Sequence, residues 1–127
     1  MANGFPKQNR LCGQMRIAQL YKEGKRFMAW PLRVTYMRLQ PEADRQILIW
    51  APKSLFKRAV KRNHLRRLMR EAYRLNQDIL QAEPAIRQAY WIAFNYTDKE
   101  EQPFAVIEKA VRKALRKIKE SESKEHK

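Results

Sequence analysis

The chain has 127 residues, which fits one domain with a modest core, and hydrophobic residues make up 44% of it. Its 28 Lys and Arg against 13 Asp and Glu give a net charge of +15, an excess that repels itself in a compact fold and indicates a polyanionic partner. A single cysteine, Cys12, excludes an internal disulfide scaffold, and no apolar run approaches the roughly 20 residues that span a bilayer.

Three classes of protein carry such a charge. Nucleic-acid binding is the leading interpretation, binding to an anionic membrane surface is the second, and a basic protein without a specific partner is the third. Cys12, His64 and His126 lack the spacing of a metal site, so no metal site is expected in the protein. The N-terminus lacks the apolar core of a signal peptide, so a cytoplasmic location is expected by elimination.

The first third of the chain predicts an arm, a helix and a strand. Residues 1–12 contain glycine and proline breaks and are expected to be irregular. Met15–Tyr21 has the spacing of a short helix, which Gly24 ends. Leu32–Leu39 alternates apolar and polar side chains, as in a half-buried strand.

The middle of the chain predicts a second strand and a long helix. Pro41–Asp44 has the composition of a turn, and Ile47–Trp50 is expected to pair antiparallel with the first strand and to end at Pro52. Ala59 to about Leu80 is predicted as the longest helix. Its core-facing positions are predicted to be Leu65, Leu68, Met69, Ala72, Leu75 and Ile79.

The last third predicts a buried strand and an amphipathic helix. After a break at Pro84, the aromatic and apolar run Tyr90–Tyr96 is typical of a buried strand. A helical row then follows, formed by Val106, Ala110, Ala114 and Ile118 with Ile107, Val111 and Leu115 beside it. Residues 1–119 are expected to form one domain, and 120–127 a polar, flexible tail.

The predicted order is helix, strand, strand, helix, strand, helix. A helix between Ile47–Trp50 and Tyr90–Tyr96 forms a crossover, so these two strands are expected to be parallel neighbours. The chain is therefore predicted to be an α/β (α+β) two-layer sandwich.

The charge is concentrated in one segment. Residues 53–74 carry nine basic side chains and one acidic one. Five arginines in this segment recur every fourth residue, at Arg58, Arg62, Arg66, Arg70 and Arg74. Guanidinium groups suit phosphate oxygens, and each phosphate contact releases counterions. A helix face that is only solvated usually mixes positive and negative side chains, unlike this segment. Nucleic-acid binding is therefore the favoured interpretation, ahead of a solvated helix face and of a helix at a membrane surface.

The same segment resembles a known signature. Ala59–Arg74 is similar to the signature of the bacterial ribonuclease P protein, in which Arg-Asn-Arg is followed by a basic pair and by Arg-Glu-Ala. The signature positions are taken here by Arg62, Asn63, Arg66, Arg67, Arg70 and Glu71. His64 stands where the family usually has arginine, and Lys53 and Lys57 are the candidates for a basic pair that often precedes the helix. The N-terminal region, with Arg10-Leu11 and Gly24–Phe27, also resembles the family.

The resemblance implies a fold with a four-stranded sheet and three helices, similar to the second domain of ribosomal protein S5. Residues 25–31 would supply the fourth strand. The crossover through the arginine-rich helix would be left-handed, whereas the general rule for such crossovers predicts a right-handed one.

The resemblance also implies a function: a protein subunit that binds the catalytic RNA of ribonuclease P and helps to remove the 5′ leader of precursor tRNA. Catalysis would lie in the RNA, with Mg²⁺ held mainly by RNA and substrate, and the protein would have no catalytic residue. One protein would assemble with one RNA, and a membrane is not expected as a partner. The implied RNA-binding residues are Lys53, Lys57, Arg58, Lys61, Arg62, Asn63, His64, Arg66, Arg67, Arg70 and Arg74.

A leader cleft between the first helix and the sheet is implied as well. Its residues would be Ile17, Tyr21 and Tyr36, for which core packing is the alternative. Trp30 could likewise belong to the leader cleft or to the core, whereas core positions are expected for Trp50, Trp91 and Phe94. A structural RNA-binding protein, such as a ribosomal protein, fits the composition equally well. A DNA-binding protein is disfavoured because no helix-turn-helix pair precedes residue 59.

Overall fold

The structure, a computed structural model, describes residues 13–38, 46–80 and 90–125, with side chains described as far as residue 121. In chain order the elements are α1 (Gln14–Glu23), β1 (Lys25–Ala29), β2 (Leu32–Arg38), β3 (Gln46–Trp50), α2 (Ala59–Asn76) followed by a 3-10 turn (Gln77–Ile79), β4 (Tyr90–Tyr96) and α3 (Phe104–Glu125). The predictions for the arm 1–12, the turn Pro41–Asp44, the break at Pro84, Cys12 and His126 lie outside the described residues.

The four strands form one mixed sheet in the order β1-β2-β4-β3. β2 pairs antiparallel with β1 and β4, and β3 pairs parallel with β4. The predicted antiparallel pairing of β2 with β3 is therefore wrong, because β1 and β4 occupy both edges of β2. The predicted parallel pairing across α2 is confirmed, and so is a strand within residues 25–31.

The main core lies between the sheet and the helices α2 and α3. Leu65, Met69 and Ala72 are buried as predicted, and every predicted core position of α3 except the half-buried Val106 is buried. The prediction for Leu75 is wrong, because 48% of its surface is exposed. Tyr73, which the helical row did not include, is buried instead and packs its ring 6.2 Å from that of Phe94.

The two long helices differ from the prediction in length. α3 has 22 residues and α2 has 18, so α3 and not α2 is the longest helix among the described residues. α3 continues through Glu125, beyond residue 119, where the polar tail was predicted to begin.

Helix α1 packs on the opposite face of the sheet. Leu20 of α1 and Ala93 of β4 are both fully buried there. The chain then turns at Gly24, where a Cβ atom would lie 2.5 Å from the carbonyl oxygen of Leu20 and 2.9 Å from that of Tyr36. Only glycine allows this close approach of backbone to backbone, so Gly24 brings α1 down onto the sheet. The predicted sandwich thus has its main helical layer on one face and the short α1 on the other.

Candidate RNA interface

The N-terminus of α2 concentrates positive charge. The helix begins after Arg58 without a side-chain cap, and its first turn contains no acidic residue. Lys57, Arg58 and Lys61 are exposed around it, and Lys61 lies 3.8 Å from the carboxylate of Glu101. Helix N-termini favour anions because their first N–H groups are unpaired and the helix dipole is positive there. Cations placed at this end add to that field, so the end of α2 is arranged for a negatively charged partner.

The arginine row of α2 winds around the helix instead of facing solvent throughout. Because 3.6 residues make one turn, each step of four residues advances the row by about 40°. Arg62, Arg66 and Arg70 are half-buried, whereas Arg74 is exposed. The other predicted RNA-binding residues are exposed, namely Lys53, Lys57, Arg58, Lys61, Asn63, His64 and Arg67.

Arg62 holds the loop that leads from β3 into α2. Its Nη1 donates hydrogen bonds to the carbonyl oxygens of Phe56, at 2.8 Å, and Lys57, at 2.9 Å. The side chain of Phe56 is buried, so the loop is held both by this side chain in the core and by the hydrogen bonds from Arg62. Arg62 therefore positions Lys57 at the basic end of the helix in addition to contributing its own charge.

Arg66 is oriented by a neighbour on the same helix. Its Nη1 donates to Oδ1 of Asn63 at 3.2 Å, and its Nε is buried without a hydrogen-bond partner among the described residues. Arg67 is exposed and has no ion pair within the described ranges. Arg66 is thus held in place, whereas Arg67 offers its whole guanidinium to a ligand.

The C-terminal end of the row is neutralised by Glu71. Nε of Arg74 donates to Oε2 of Glu71 at 3.0 Å, and Nη2 donates to Oε1 at 2.5 Å. This hydrogen-bonded pairing lowers the pKa of Glu71 and raises the pKa of Arg74. The spacing along the helix puts both Arg67 and Arg74 within reach of Glu71, and Glu71 pairs with Arg74. The excess of positive charge therefore lies towards the N-terminal part of α2 and the loop before it, around residues 53–67.

The structure separates the three residues predicted for the leader cleft. Ile17 and Tyr21 are half-buried between α1 and the sheet. Tyr36 lies on the other face, packs against the rings of Phe27 and Tyr90, and donates a hydrogen bond to Oγ of Ser121 in α3 at 3.2 Å. The prediction that Tyr36 shares a cleft with α1 is therefore corrected, because even-numbered side chains of β2 point towards α3.

A different set of residues lies beside Tyr21. Strand register aligns one residue from each strand in a row across the α1 face of the sheet, and we name this set the open row: Met28, Arg33, Asn95 and Trp50. The hydroxyl of Tyr21 donates to Oδ1 of Asn95 at 3.1 Å and joins α1 to the row. Met28 is 52% exposed and Trp50 49% exposed.

The outcomes for the tryptophans follow from this arrangement. The expected core position of Trp50 is wrong, Trp91 is half-buried against α1, and Phe94 is fully buried as expected. Trp30 is exposed in the turn between β1 and β2. Met37 of β2 is apolar at an odd-numbered position and packs against the cluster formed by Leu20 and Ala93. It is the residue in the sequence that could have indicated a covered second face of the sheet.

No group of three or more His, Cys, Asp or Glu side chains lies together in a geometry that could hold a metal ion within residues 13–38, 46–80 and 90–121. None of the helices in the described ranges combines the length and the apolar composition that crossing a membrane requires.

Sequence comparison identifies relatives along nearly the whole chain. The model of the family described as Ribonuclease P matches residues 5–119. A ribonuclease P protein component of Porphyromonas gingivalis is 42% identical over 119 residues, which cover 91% of this chain and 86% of that protein. A ribonuclease P protein component of Chlorobaculum tepidum is 36% identical over 83 residues, covering 61% of this chain and 54% of that protein.

Solved structures share the fold. The RNase P protein of Thermotoga maritima superposes with a TM-score of 0.69 at 20% identity and covers 85% of this chain and 96% of its own. A Staphylococcus aureus RNase P protein mutant with defective mRNA degradation activity gives a TM-score of 0.73 at 18% identity, covering 89% and 90%. The arrangement of three helices on a four-stranded mixed sheet is therefore that of these proteins.

Proposed function

We propose that this chain, which belongs to the ribonuclease P protein family, binds the catalytic RNA of ribonuclease P through α2. The family acts in an endoribonuclease complex of tRNA processing, and membership of it implies an RNA partner. The chain would be the protein subunit that holds RNA, with one protein assembled on one RNA.

The observation that supports RNA binding most strongly is the charge around the start of α2. Cations surround a helix end that lacks acidic residues, and the half-buried Arg62 and Arg66 are fixed by hydrogen bonds. Arginine forks match two phosphate oxygens at once, and prior orientation reduces the entropy lost on binding. A phosphate backbone would satisfy this surface, and its binding would weaken steeply with salt.

The second part of the proposal concerns the 5′ leader of precursor tRNA. The α1 face offers half-buried Ile17 and Tyr21 beside the open row, where Trp50 and Met28 are exposed. Aromatic and apolar side chains bind unstacked bases, and the exposed Arg33 adds a positive charge to this face. We assign the leader to this face, with Tyr36 supporting β2 from the opposite side through its contact with α3.

Bond cleavage is assigned to the RNA partner. Mg²⁺ bound by RNA and substrate would supply the activated water for phosphodiester hydrolysis. The side chains of this chain would orient the RNA and hold the leader extended, and they would leave the proton transfers to the RNA and its metal ions.

Reconstitution tests the proposal. The protein is mixed with a bacterial ribonuclease P RNA at low Mg²⁺ concentration, together with a precursor tRNA that has a leader. Faster 5′ cleavage than with the RNA alone is expected, because protein cations replace counterions that the RNA otherwise needs. The absence of any stimulation would contradict the proposal.

Arg67→Gln tests the α2 surface with little risk to the fold, since Arg67 is exposed and unpaired among the described residues. The slope of log affinity against log salt is expected to fall by about 0.7 to 0.9 for one lost phosphate contact. Lys22→Gln, which removes an exposed cation from α1, is the matched control and should leave the slope unchanged. Equal effects of the two substitutions would refute the assignment to α2.

A further inference from the structure

We propose that the outer side of α3 is a second RNA-binding surface that takes the phosphate backbone of double-helical RNA, an inference that rests on the proposed function. The surface consists of Lys109, Lys113 and Arg116, which we name the α3 stripe. Spacings of four and three residues place these side chains on one side of the helix.

The α3 stripe faces solvent because the opposite side of the helix forms the core. Ile107, Leu115 and Ile118 are fully buried against the sheet, whereas all three members of the stripe are exposed. None of the three has an ion pair or hydrogen bond within the residues that the structure describes.

Neighbouring cations on α3 are already engaged. Arg112 lies 3.4 Å from the carboxylate of Glu108, and Nζ of Lys117 lies 4.6 Å from the centre of the Phe27 ring. Arg112 and Lys117 therefore contribute to the packing of α3 against α2 and β1. The three side chains of the α3 stripe make no such contacts. They repel one another, and no partner within the described residues reduces this repulsion.

The α3 stripe is separate from the basic end of α2. Asn76, the last residue of α2, contacts Glu108 and Arg112, so the stripe begins beside the C-terminal end of α2. Arg62 lies about 21 Å back along α2 at a rise of 1.5 Å per residue. The charge-balanced pairs of Glu71 and Glu108 with their arginines lie near this C-terminal end of α2. One phosphate group cannot bridge the two basic surfaces, and these surfaces would contact different segments of RNA.

The composition of the stripe favours a duplex backbone as its partner. The large exposed hydrophobic residues of the described chain all lie outside α3: Met15, Met28, Trp30, Trp50, Val60 and Leu75. The stripe therefore has neither a stacking platform for unpaired bases nor apolar side chains to insert into a membrane. Flexible lysines bind phosphates as point charges without reading bases, which suits the regular backbone of an RNA helix.

Salt-dependent binding to the catalytic RNA, without substrate, tests the inference. The variant Lys109→Gln/Lys113→Gln removes two charges, and its control Lys22→Gln/Lys99→Gln removes two exposed lysines elsewhere. The slope of log affinity against log salt is expected to fall by about 1.4 to 1.8 in the variant and not in the control. Adding Arg116→Gln should lower it again. A slope equal to that of the control would overturn the inference.

Two further readouts locate the surface. In hydroxyl-radical footprinting, Lys109→Gln/Lys113→Gln should fail to protect one duplex segment of the RNA. Arg67→Gln should fail to protect a different set of nucleotides. Loss at the same nucleotides would overturn the claim of a separate surface. Binding to phosphatidylserine vesicles that the variant loses, with unchanged RNA binding, would assign the stripe to a membrane instead. If the wild-type protein binds no ribonuclease P RNA at all, the proposed function fails and the inference fails with it.

Discussion

On one face of the sheet, α2 and α3 bury Val34, Ile92 and Phe94 completely, whereas on the other face α1 buries Ala93 and leaves Met28 and Trp50 half exposed. The α1 face is the more polar of the two, since Arg33 and Asn95 lie on it, and the helix that covers it is also shorter. A helix of 10 residues is about 15 Å long, while 18 and 22 residues give about 27 and 33 Å, and a strand of seven residues spans about 23 Å. α1 is therefore too short to cover its face, and the open row results.

The difference separates stability from binding. The α3 side is closed by aromatic contacts and by the hydrogen bond from Tyr36 to Ser121, so its side chains stabilise the fold. The α1 side keeps large side chains in contact with solvent at the position where the sheet meets Tyr21. Exposed aromatic side chains that do not complete a core are available to a ligand.

The largest expected effect is on the closed face. Phe94→Ala should lower the free energy of unfolding by about 3 to 5 kcal/mol, because it leaves a cavity in a fully packed core. Trp50→Ala on the open row should cost less than about 1 kcal/mol, since half of this side chain is already in water. Urea denaturation measures both. Equal costs would remove the distinction between the two faces.

The position of α1 on its face depends on Gly24. Gly24→Ala places a methyl group against two backbone carbonyl oxygens, neither of which can rotate away, so α1 must shift. A loss of about 1 to 3 kcal/mol in the free energy of unfolding is expected, as for overpacked cores. Thermal and urea unfolding check it, and unchanged stability would show that α1 is not held by this close approach.

The open row is tested by comparing two exposed tryptophans. Trp50→Ala should weaken binding of precursor tRNA to the assembled complex by about 1 to 3 kcal/mol for one lost base stack, and should spare mature tRNA, which has no leader. Trp30→Ala removes a tryptophan of similar exposure from the β1–β2 turn and serves as the control. A leader-specific loss in Trp30→Ala, and none in Trp50→Ala, would move the leader away from the open row.

Tyr21 connects α1 with the open row, and two substitutions separate its roles. Tyr21→Phe removes the hydrogen bond to Asn95 and should cost about 0.5 to 1.5 kcal/mol of unfolding free energy while leaving a ring for stacking. Tyr21→Ala should in addition weaken the binding of precursor tRNA with a leader more than the binding of mature tRNA. Equal weakening of both ligands by Tyr21→Ala would refute the role of Tyr21 in leader binding.

The smallest effect concerns the pair of Glu71 and Arg74, which lies on α2 outside both faces. Arg74 lowers the pKa of Glu71 below its ordinary value of 4.5, so the pair stabilises the fold above that value and the benefit is lost as the pH falls through the lowered pKa. Both side chains are solvent-exposed, so Glu71→Gln should cause only a small loss at pH 7, and high salt should reduce it. Unfolding curves of wild type and variant should converge in acid, and a gap that widens there would contradict the pairing.

Much of the fold was predictable because it depends on local patterns. Helical spacing, alternation and short apolar runs located α1, α2, β2, β3 and β4 to within a few residues, whereas α3 extends beyond its predicted end. The parallel pairing across α2 followed from chain order. The pairing of β2 was predicted wrongly because strand order is set by contacts distant in sequence. The left-handed crossover and the flexible tail stay predictions.

The basic surface of α2 shows the same division. Its charge and its family signature are local and were evident from residues 53–74. The two hydrogen bonds from Arg62 to the preceding loop and the choice of Arg74 by Glu71 required the positions of the side chains. These contacts decide which cations are already engaged and which remain available.

The sequence by itself determined that this protein has a cationic helix suited to a polyanion and an alternating strand, because charge and periodicity are properties of neighbouring residues. Only the tertiary structure decided that Tyr36 supports the core while Trp50 is exposed. Alternation shows which residues of a strand share a face, but the cover of each face depends on strand order and on the length of the helix that packs there.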